Sequence, residues 1–537
     1  MFRENDVTQQ QSLLDSDQWM DSRTRKRLAS SWAPVFYEQV YTQIDERPFS
    51  VLYSEEKNGR PNFSVRILLS LELIKHMQNI SDADLLEKYD FDYLVNYAIG
   101  NKTLGSNPLA ERTLYNFRER LYLYTSQNPE GEELLFTQFK TITGKIIRDA
   151  NLSTSEQRID TTQVMSNIKK SGRIALAYDV LIKGSKKVPE SVKTETIEKV
   201  LSPAFKTEII YKAKSSETES KLTILLRYCQ EVLSLLEQHR PTEASAEIRI
   251  LKRLLTEQAE TGESGTITAK NGKQVSSKSL QSAYDEEATY RRKGEQGHTG
   301  YAAGITETCA EGNTFQVITD YTLEQNVASD VGILRDRMGH IAGTGCTALY
   351  CDGGFSAGDI VTEGSIQGIN IQYTHMAGIA SESDKLSVDD FAHDGIAVHA
   401  CPGGHAPMEE TENDNSLHAC FDANVCQDCP LRPQCPVKPS KVKFSVCFKY
   451  DQMVLSASRN QMKENFKGNI SKRAAIEGTN SSLKRKGMGK LRVRGKAKCV
   501  VVVGLKVLAH NIRQYVKFAQ GYYASKKPSN ILSLCPN

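Results

Sequence analysis

Aspartate is a poor strand residue, because its side chain competes with the ladder and its buried charge is costly. This 537-residue chain nevertheless places one in each of two strand-like runs. The first run, "EQRIDTTQVMSN" (residues 156–167), is rich in Ile, Thr and Val and carries Asp160. The second, "CTALYCDGGFSAGDI", is a short apolar strand ended by Asp352 and broken by Gly353-Gly354. An acid at a strand end before glycines either points at a ligand or closes a strand-terminal turn. Either aspartate alone leaves both readings open.

The segments around these runs alternate between helical and strand periods. Residues 1–60 are polar and read as irregular, with a turn at Asn58-Gly59-Arg60-Pro61. "FSVRILLSLELIKHM" spaces Ile67, Leu68, Leu71, Ile74 and Met77 as a helix. Ser81 and Asp84 fit a capping box opening the next one. "PLAERTLYNFRERL" puts Leu114, Phe117 and Leu121 on one stripe and Arg112, Arg118 and Arg120 outside it. Short helices in series ending in a basic one suit a helix-turn-helix DNA reader, and equally a plain helical bundle. Further on, "LTILLRYCQEVLSLLEQ" and "AEIRILKRLLTEQ" read as an antiparallel helical pair joined across His239-Arg240-Pro241. "TGESGTITAKNGKQVSSKS" reads as a loop, a hairpin turns at Glu311-Gly312-Asn313, and a helix follows from Ala328 to His340.

Charge is distributed unevenly. The net charge is only +3, yet Lys463 to Arg513 holds fourteen Lys and Arg against two acids, Glu464 and Glu477. Local excess of this kind builds phosphate-binding surfaces, and Lys484, Arg485, Lys486, Arg492 and Arg494 are the candidate DNA contacts. In "RAAIEGTNSSLKRK", read as one helix, Arg473 precedes Glu477 by one turn and Lys484 follows it by two, which aligns all three on one face. An Arg–Glu surface ion pair would explain two of these residues but not Lys484 or the strand aspartates.

Phosphodiester chemistry by two metals needs hard oxygen ligands clamped on the attacking and leaving oxygens. Two strand aspartates and a helix glutamate beside a basic surface meet that need. "RIDTTQV", "LYCDGGFSAGDI" and "RAAIEGTNSSLKRKGMGKLRVRGKAK" resemble the three signature regions of DDE transposases of bacterial insertion sequences. The resemblance implies an α/β, ribonuclease-H-like mixed sheet flanked by helices. It implies a helical N-terminal DNA-binding domain (1–150) and a catalytic domain (151–520). The latter carries a helical insertion at about 185–290 and a cysteine-bearing one at about 385–460, before a tail at 521–537. It implies Asp160, Asp352 and Glu477 as ligands of Mg²⁺ or Mn²⁺, and Arg473 and Lys484 as phosphate contacts. Where related groups carry a Tyr, this chain has Ile470. The implied activity is cleavage at the terminal inverted repeats of the chain's own element and joining to target DNA, with a dimer on double-stranded DNA. A metal-dependent nuclease without strand transfer, and a non-catalytic DNA-binding relative, are the alternatives.

Five of the twelve cysteines fall between Cys401 and Cys435. Cys420, Cys426, Cys429 and Cys435 have the spacing C-x5-C-x2-C-x5-C, which suits a tetrahedral zinc site. An iron–sulfur cluster also uses four cysteines, and Cys401, His405 or His418 could replace one ligand. The longest apolar run near the C-terminus, Cys499 to Leu505, is too short for a membrane span, and the first residues lack a signal peptide's apolar stretch. The expected location is a bacterial cytoplasm, nucleoid-associated when bound to DNA. "KCVVVVGLKVLAHNIRQYVKF" is β-branched at its start, but the spacing of Val503, Val507, Ile512 and Val516 predicts a helix.

Overall fold

The computed structural model describes residues 2–5, 19–54, 61–105, 107–129, 133–211, 217–239, 244–262, 265–376, 385–440 and 442–522. The turn at 58–60, the junction at 240–241 and the tail from 523 onward lie outside the described residues.

The expectation of irregular chain over residues 1–60 is corrected from Ser22 onward. Helix α1 (Ser22–Ala29) is capped by the Asp21 carboxylate, which accepts from the N–H groups of Arg23 and Thr24. Helix α2 (Trp32–Gln39) is capped by Ser31. Apolar residues are few here, but Ala33, Phe36, Val40, Ile44 and Phe49 are all turned into the core. That inward packing outweighs a polar composition. Helix α3 (Val65–Gln78) is buried on nearly every face. Helix α4 (Asp82–Phe91) opens with the expected capping box of Ser81 and Asp84. After α5 (Tyr93–Ala98), α6 (Glu111–Gln127) turns Leu114, Phe117 and Leu121 inward. Arg118 departs from expectation. It is largely buried, 2.5 Å from Glu72 and 2.6 Å from Asp82, so it ties α6 to α3 and α4 and is not a free DNA contact. Helix α7 (Leu134–Asp149) completes the N-terminal set.

Strand β1 (Glu156–Val164) carries Asp160 and leads into α8 (Arg173–Ser185), α9 (Glu195–Leu201), α10 (Pro203–Lys206), α11 (Thr218–His239) and α12 (Ser245–Gln258). These helices enclose a core of their own that includes Leu181, Val200, Leu226 and Leu251. The stretch read as a loop begins on the last residue of β2 (Ala259–Thr261) and contains its partner β3 (Ile267–Ala269), whose Ile267 and Ala269 alternate inward onto that core.

Next come β4 (Thr289–Lys293), β5 (Gln296–Thr308), β6 (Ile318–Gln325), α13 (Asp330–Gly343), β7 (Ala348–Cys351), α14 (Gly358–Ile366) and β8 (Asn370–Tyr373). The main sheet runs β5-β1-β7-β8, with β4 and β6 both paired to β5. Pairing of β1 with β5, and of β5 with β6, is antiparallel; pairing of β1 with β7, and of β7 with β8, is parallel. This is a ribonuclease-H-like mixed sheet, with Asp160 on β1 and Asp352 just past the end of the neighbouring β7.

The cysteine-bearing segment holds the pair β9 (Ala392–His393) and β10 (Val398–Ala400). It also holds a second sheet of β11 (Glu409–Asn413), β12 (Ser416–Asp422), β13 (Lys438–Pro439) and β14 (Lys443–Lys449), with α15 (Ala423–Gln427) beside it. Helices α16 (Tyr450–Ala474), α17 (Ile476–Arg485) and α18 (Lys496–Ala519) follow. The helical reading of α18 holds despite its valines, because Val503, Val507 and Ile512 are buried at helical spacing. It lies against α3, α6, α7 and β6, so N-terminal helices and sheet share one core.

Candidate active site

Parallel pairing sets the geometry. Arg158 on β1 stands opposite Tyr350 on β7. Two residues further along each strand, on the same face, the register brings Asp160 beside Asp352. Asp352 lies just beyond the end of β7, and its carboxylate accepts the Gly354 N–H at 2.8 Å. The glycine pair is a packing requirement: a Cβ at Gly353 would sit 2.3 Å from the His375 carbonyl oxygen. A Cβ at Gly354 would sit 2.9 Å from Asp352 Oδ1 and 3.0 Å from Asp330 Oδ2. Asp330, at the start of α13, is therefore a further acid beside the pair. It accepts from the Thr161 hydroxyl at 3.0 Å and lies 3.4 Å from Arg291.

The two aspartates share one cation. Arg473, the penultimate residue of α16, stands 3.1 Å from Asp352 and 3.6 Å from Asp160. Burial pushes the Asp160 carboxyl above its ordinary range; Arg473 opposes that shift and Asp352 adds to it. Arg473 Nε is buried with no hydrogen-bond partner.

The helix expected over residues 473–486 is broken. Helix α16 ends at Ala474, and after Ala475 the chain restarts as α17, with the Gly478 N–H bonded back to the Ala475 carbonyl. The sheet holds this joint. Arg158 donates to the Lys472 carbonyl at 2.5 Å and to Glu307 at 2.8 Å, and Glu307 accepts the Thr479 hydroxyl at 2.7 Å. Lys472 reaches Glu156 at 2.6 Å. The break leaves Arg473 at one helix end and Glu477 in the first turn of the next, each at the terminus that its charge favours.

Helix α17 presents Asn480 to the site. Its amide donates to Asp160 Oδ2 at 3.0 Å, and its own Oδ1 is buried without a partner. Glu477, three residues earlier, and Lys484, four later, share that face by helical spacing. Glu477 is exposed. Asn480 was not singled out by the sequence, although its place three residues after Glu477 was the available signal.

Beyond α17 the basic segment runs along the extension of β1. Met165 N–H bonds the Gly489 carbonyl, Leu491 N–H the Met165 carbonyl, and Asn167 N–H the Val493 carbonyl. This leaves Lys484, Arg485, Arg492 and Arg494 exposed, while Lys486 is half-buried. Arg494 donates to the Asn167 carbonyl at 2.8 Å and stacks over Tyr284 at 4.9 Å. The hairpin of β4 and β5 adds bases that the sequence reading passed over. Lys293 acts electrostatically on Asp160, and His298 is held below its ordinary range by burial and by Lys170, Lys484 and Lys293. The run "YRRKGEQGH" was the available signal.

Neither expected metal-ligand set is closed in the structure, the Asp160–Asp352–Glu477 set no more than the cysteines. Among the described residues, no group of three or more His, Cys, Asp or Glu side chains is arranged to hold a metal ion, and the cysteines are free thiols. Cys420 is set apart from the other three. On β12, Leu417, Ala419 and Phe421 face the local core, so Cys420 points to the opposite face.

Residues 400–516 match the family model described as a transposase DDE domain, and residues 24–120 match one described as a transposase domain. The first covers Glu477 and the basic segment; neither covers Asp160 or Asp352. No curated protein and no solved structure matches. Also, no helix among the described residues is long and apolar enough to cross a membrane. A transposase-domain match thus lies on each side of the mixed sheet that pairs the two aspartates, which supports a likeness to the DDE transposases of insertion sequences.

Proposed function

We propose that this chain cuts DNA at the ends of its own insertion sequence and joins the freed ends to target DNA. The observation that carries the reading is the pairing of Asp160 and Asp352 on adjacent parallel strands around one guanidinium.

Two hard carboxylates sharing a single positive charge, one of them desolvated, fit a divalent cation such as Mg²⁺ or Mn²⁺. Asp160 and Asp352 would hold it, with Glu477 from α17. When bound, it supplies activation of water and stabilisation of charge on the phosphoryl oxygens. Arg473, now on both carboxylates, would then be free to meet a DNA phosphate. Asn480 fixes the orientation of the Asp160 carboxylate through its amide. Lys484, Arg485, Lys486, Arg492 and Arg494, with Lys293 and Lys170, bind the backbone on either side. Two element ends handled together call for two copies on DNA.

The test uses the full chain, a divalent ion and duplexes carrying the inverted repeats that bracket its gene. Nicking at the repeat boundary, followed by joined product with a target plasmid, supports the reading. Cleavage without joining would leave a nuclease. Binding without cleavage in either Mg²⁺ or Mn²⁺ would leave a DNA-binding relative.

A further inference from the structure

We infer that Cys401, Cys426, Cys429 and Cys435 form a zinc site from which Cys420 is excluded. These four thiols come from two separate turns and line one cavity of about 290 Å³ beside the second sheet. Cys401 sits in a tight turn: its N–H bonds the His405 carbonyl, and the Gly404 N–H bonds back to the Cys401 carbonyl. Gly404 takes a left-handed φ of +82°, which lets the turn close. Cys426 lies in the last turn of the short helix α15, and Cys429 and Cys435 follow in successive turns through Arg432. Cys420 is not among the lining residues, although Phe421 and Asp422 next to it are.

The grouping is also electrostatic. Cys426 is influenced by Cys401, Cys435 and Cys429, and Cys435 by Cys401 and Cys429. Cys420 instead acts on Lys443, on the other side of the strand. A divalent thiophilic ion would take the four thiols as thiolate ligands and release their protons to solvent. Four thiolates around Zn²⁺ leave two negative charges. Arg432, which favours the thiolate forms of Cys426 and Cys435 and lies 4.8 Å over the Phe444 ring, is placed to offset them. In the structure the sulfurs line the cavity without closing on a point, so zinc binding would have to draw the two turns together. The site braces the segment that precedes α16, and is separate from the aspartates.

The test is elemental analysis of the full chain purified without chelator, and of C401S, C420S and C429S. About one zinc per chain in the parent and C420S, with less than a third of that in C401S and C429S, is expected. Because a variant could fail to fold, cobalt(II) is also titrated into metal-free parent and C420S; both should give the visible absorption of tetrahedral thiolate ligation. Parent protein with no zinc and no such cobalt spectrum, or loss of metal in C420S with retention in C401S, overturns the inference.

Discussion

The guanidinium of Arg473 lies 3.1 Å from Asp352 and 3.6 Å from Asp160, so one side chain neutralises both carboxylates at once. A residue in that position competes with any divalent ion for the same oxygens. Replacing it by Gln should therefore tighten Mn²⁺ binding severalfold, measured by calorimetry without DNA, because the internal competitor is gone. The same variant should cut more slowly once metal is saturating, since a phosphate contact is lost. Unchanged or weaker Mn²⁺ binding would show that Arg473 is not a surrogate cation.

Arg158 and Glu307 are the buried anchor of the α16–α17 joint, with side chains 7% and 1% exposed. Removing one partner of such a pair leaves an uncompensated charge and costs about 3–5 kcal/mol. Glu307→Ala should lower the midpoint of urea unfolding markedly. Arg158→Met combined with Glu307→Leu should recover much of the loss, because hydrophobic replacements remove both charges together. A Glu307→Ala protein as stable as its parent would mean that the pair does not hold the joint.

How far the site was readable depended on whether its signal was local. Asp160 and Asp352 stood out because aspartate is out of place in a strand, and the register of β1 with β7 then brought them side by side. Spacing alone placed Glu477 and Lys484 on one face of α17, but it also put Arg473 there, which the structure assigns to α16. The contact of Asn480 with Asp160, and the capture of Arg473 by the aspartates, depend on partners distant in the sequence, and no periodicity reports them. The helix break at Ala475 was hidden for the same reason: Arg158, Glu307 and Lys472 hold it through tertiary bonds. Cysteine spacing cannot report which face of β12 Cys420 takes, because strand alternation matters only once β12 is known. Residues 22–52 were missed because their buried residues are few, although each is well placed.

Asp160 makes stability depend on pH with a defined sign. Its carboxyl is raised above the ordinary value, chiefly by burial, so the folded state holds the proton to higher pH than the unfolded chain does. Stability contributed by this group is present below the unfolded value and lost as pH rises through the raised folded value. Without metal, Asp160→Asn should therefore melt about 1–3 °C above the parent at pH 7, converging with it as pH falls through the acid range. Thermal unfolding at several pH values in chelator checks this. A variant that melts lower than the parent at pH 7 would show that Arg473 outweighs burial.

The exposed bases should reveal themselves in salt dependence. Each phosphate neutralised by Lys or Arg releases counterions, and the slope of log affinity against log salt counts those contacts. Neutralising Lys484, Arg492 and Arg494 together should flatten the slope by about one unit per lost contact. Neutralising Arg292 and Lys293 on the hairpin should flatten it similarly, because Lys293 acts on Asp160 and, together with Lys484, on His298. Arg118→Gln is the internal control. It is buried against Glu72 and Asp82, so it should lower stability and leave the slope unchanged. An unchanged slope in the triple variant would show that the segment after α17 does not face DNA. A flattened slope in Arg118→Gln would show that α6 reads DNA with a residue that the fold otherwise holds inside.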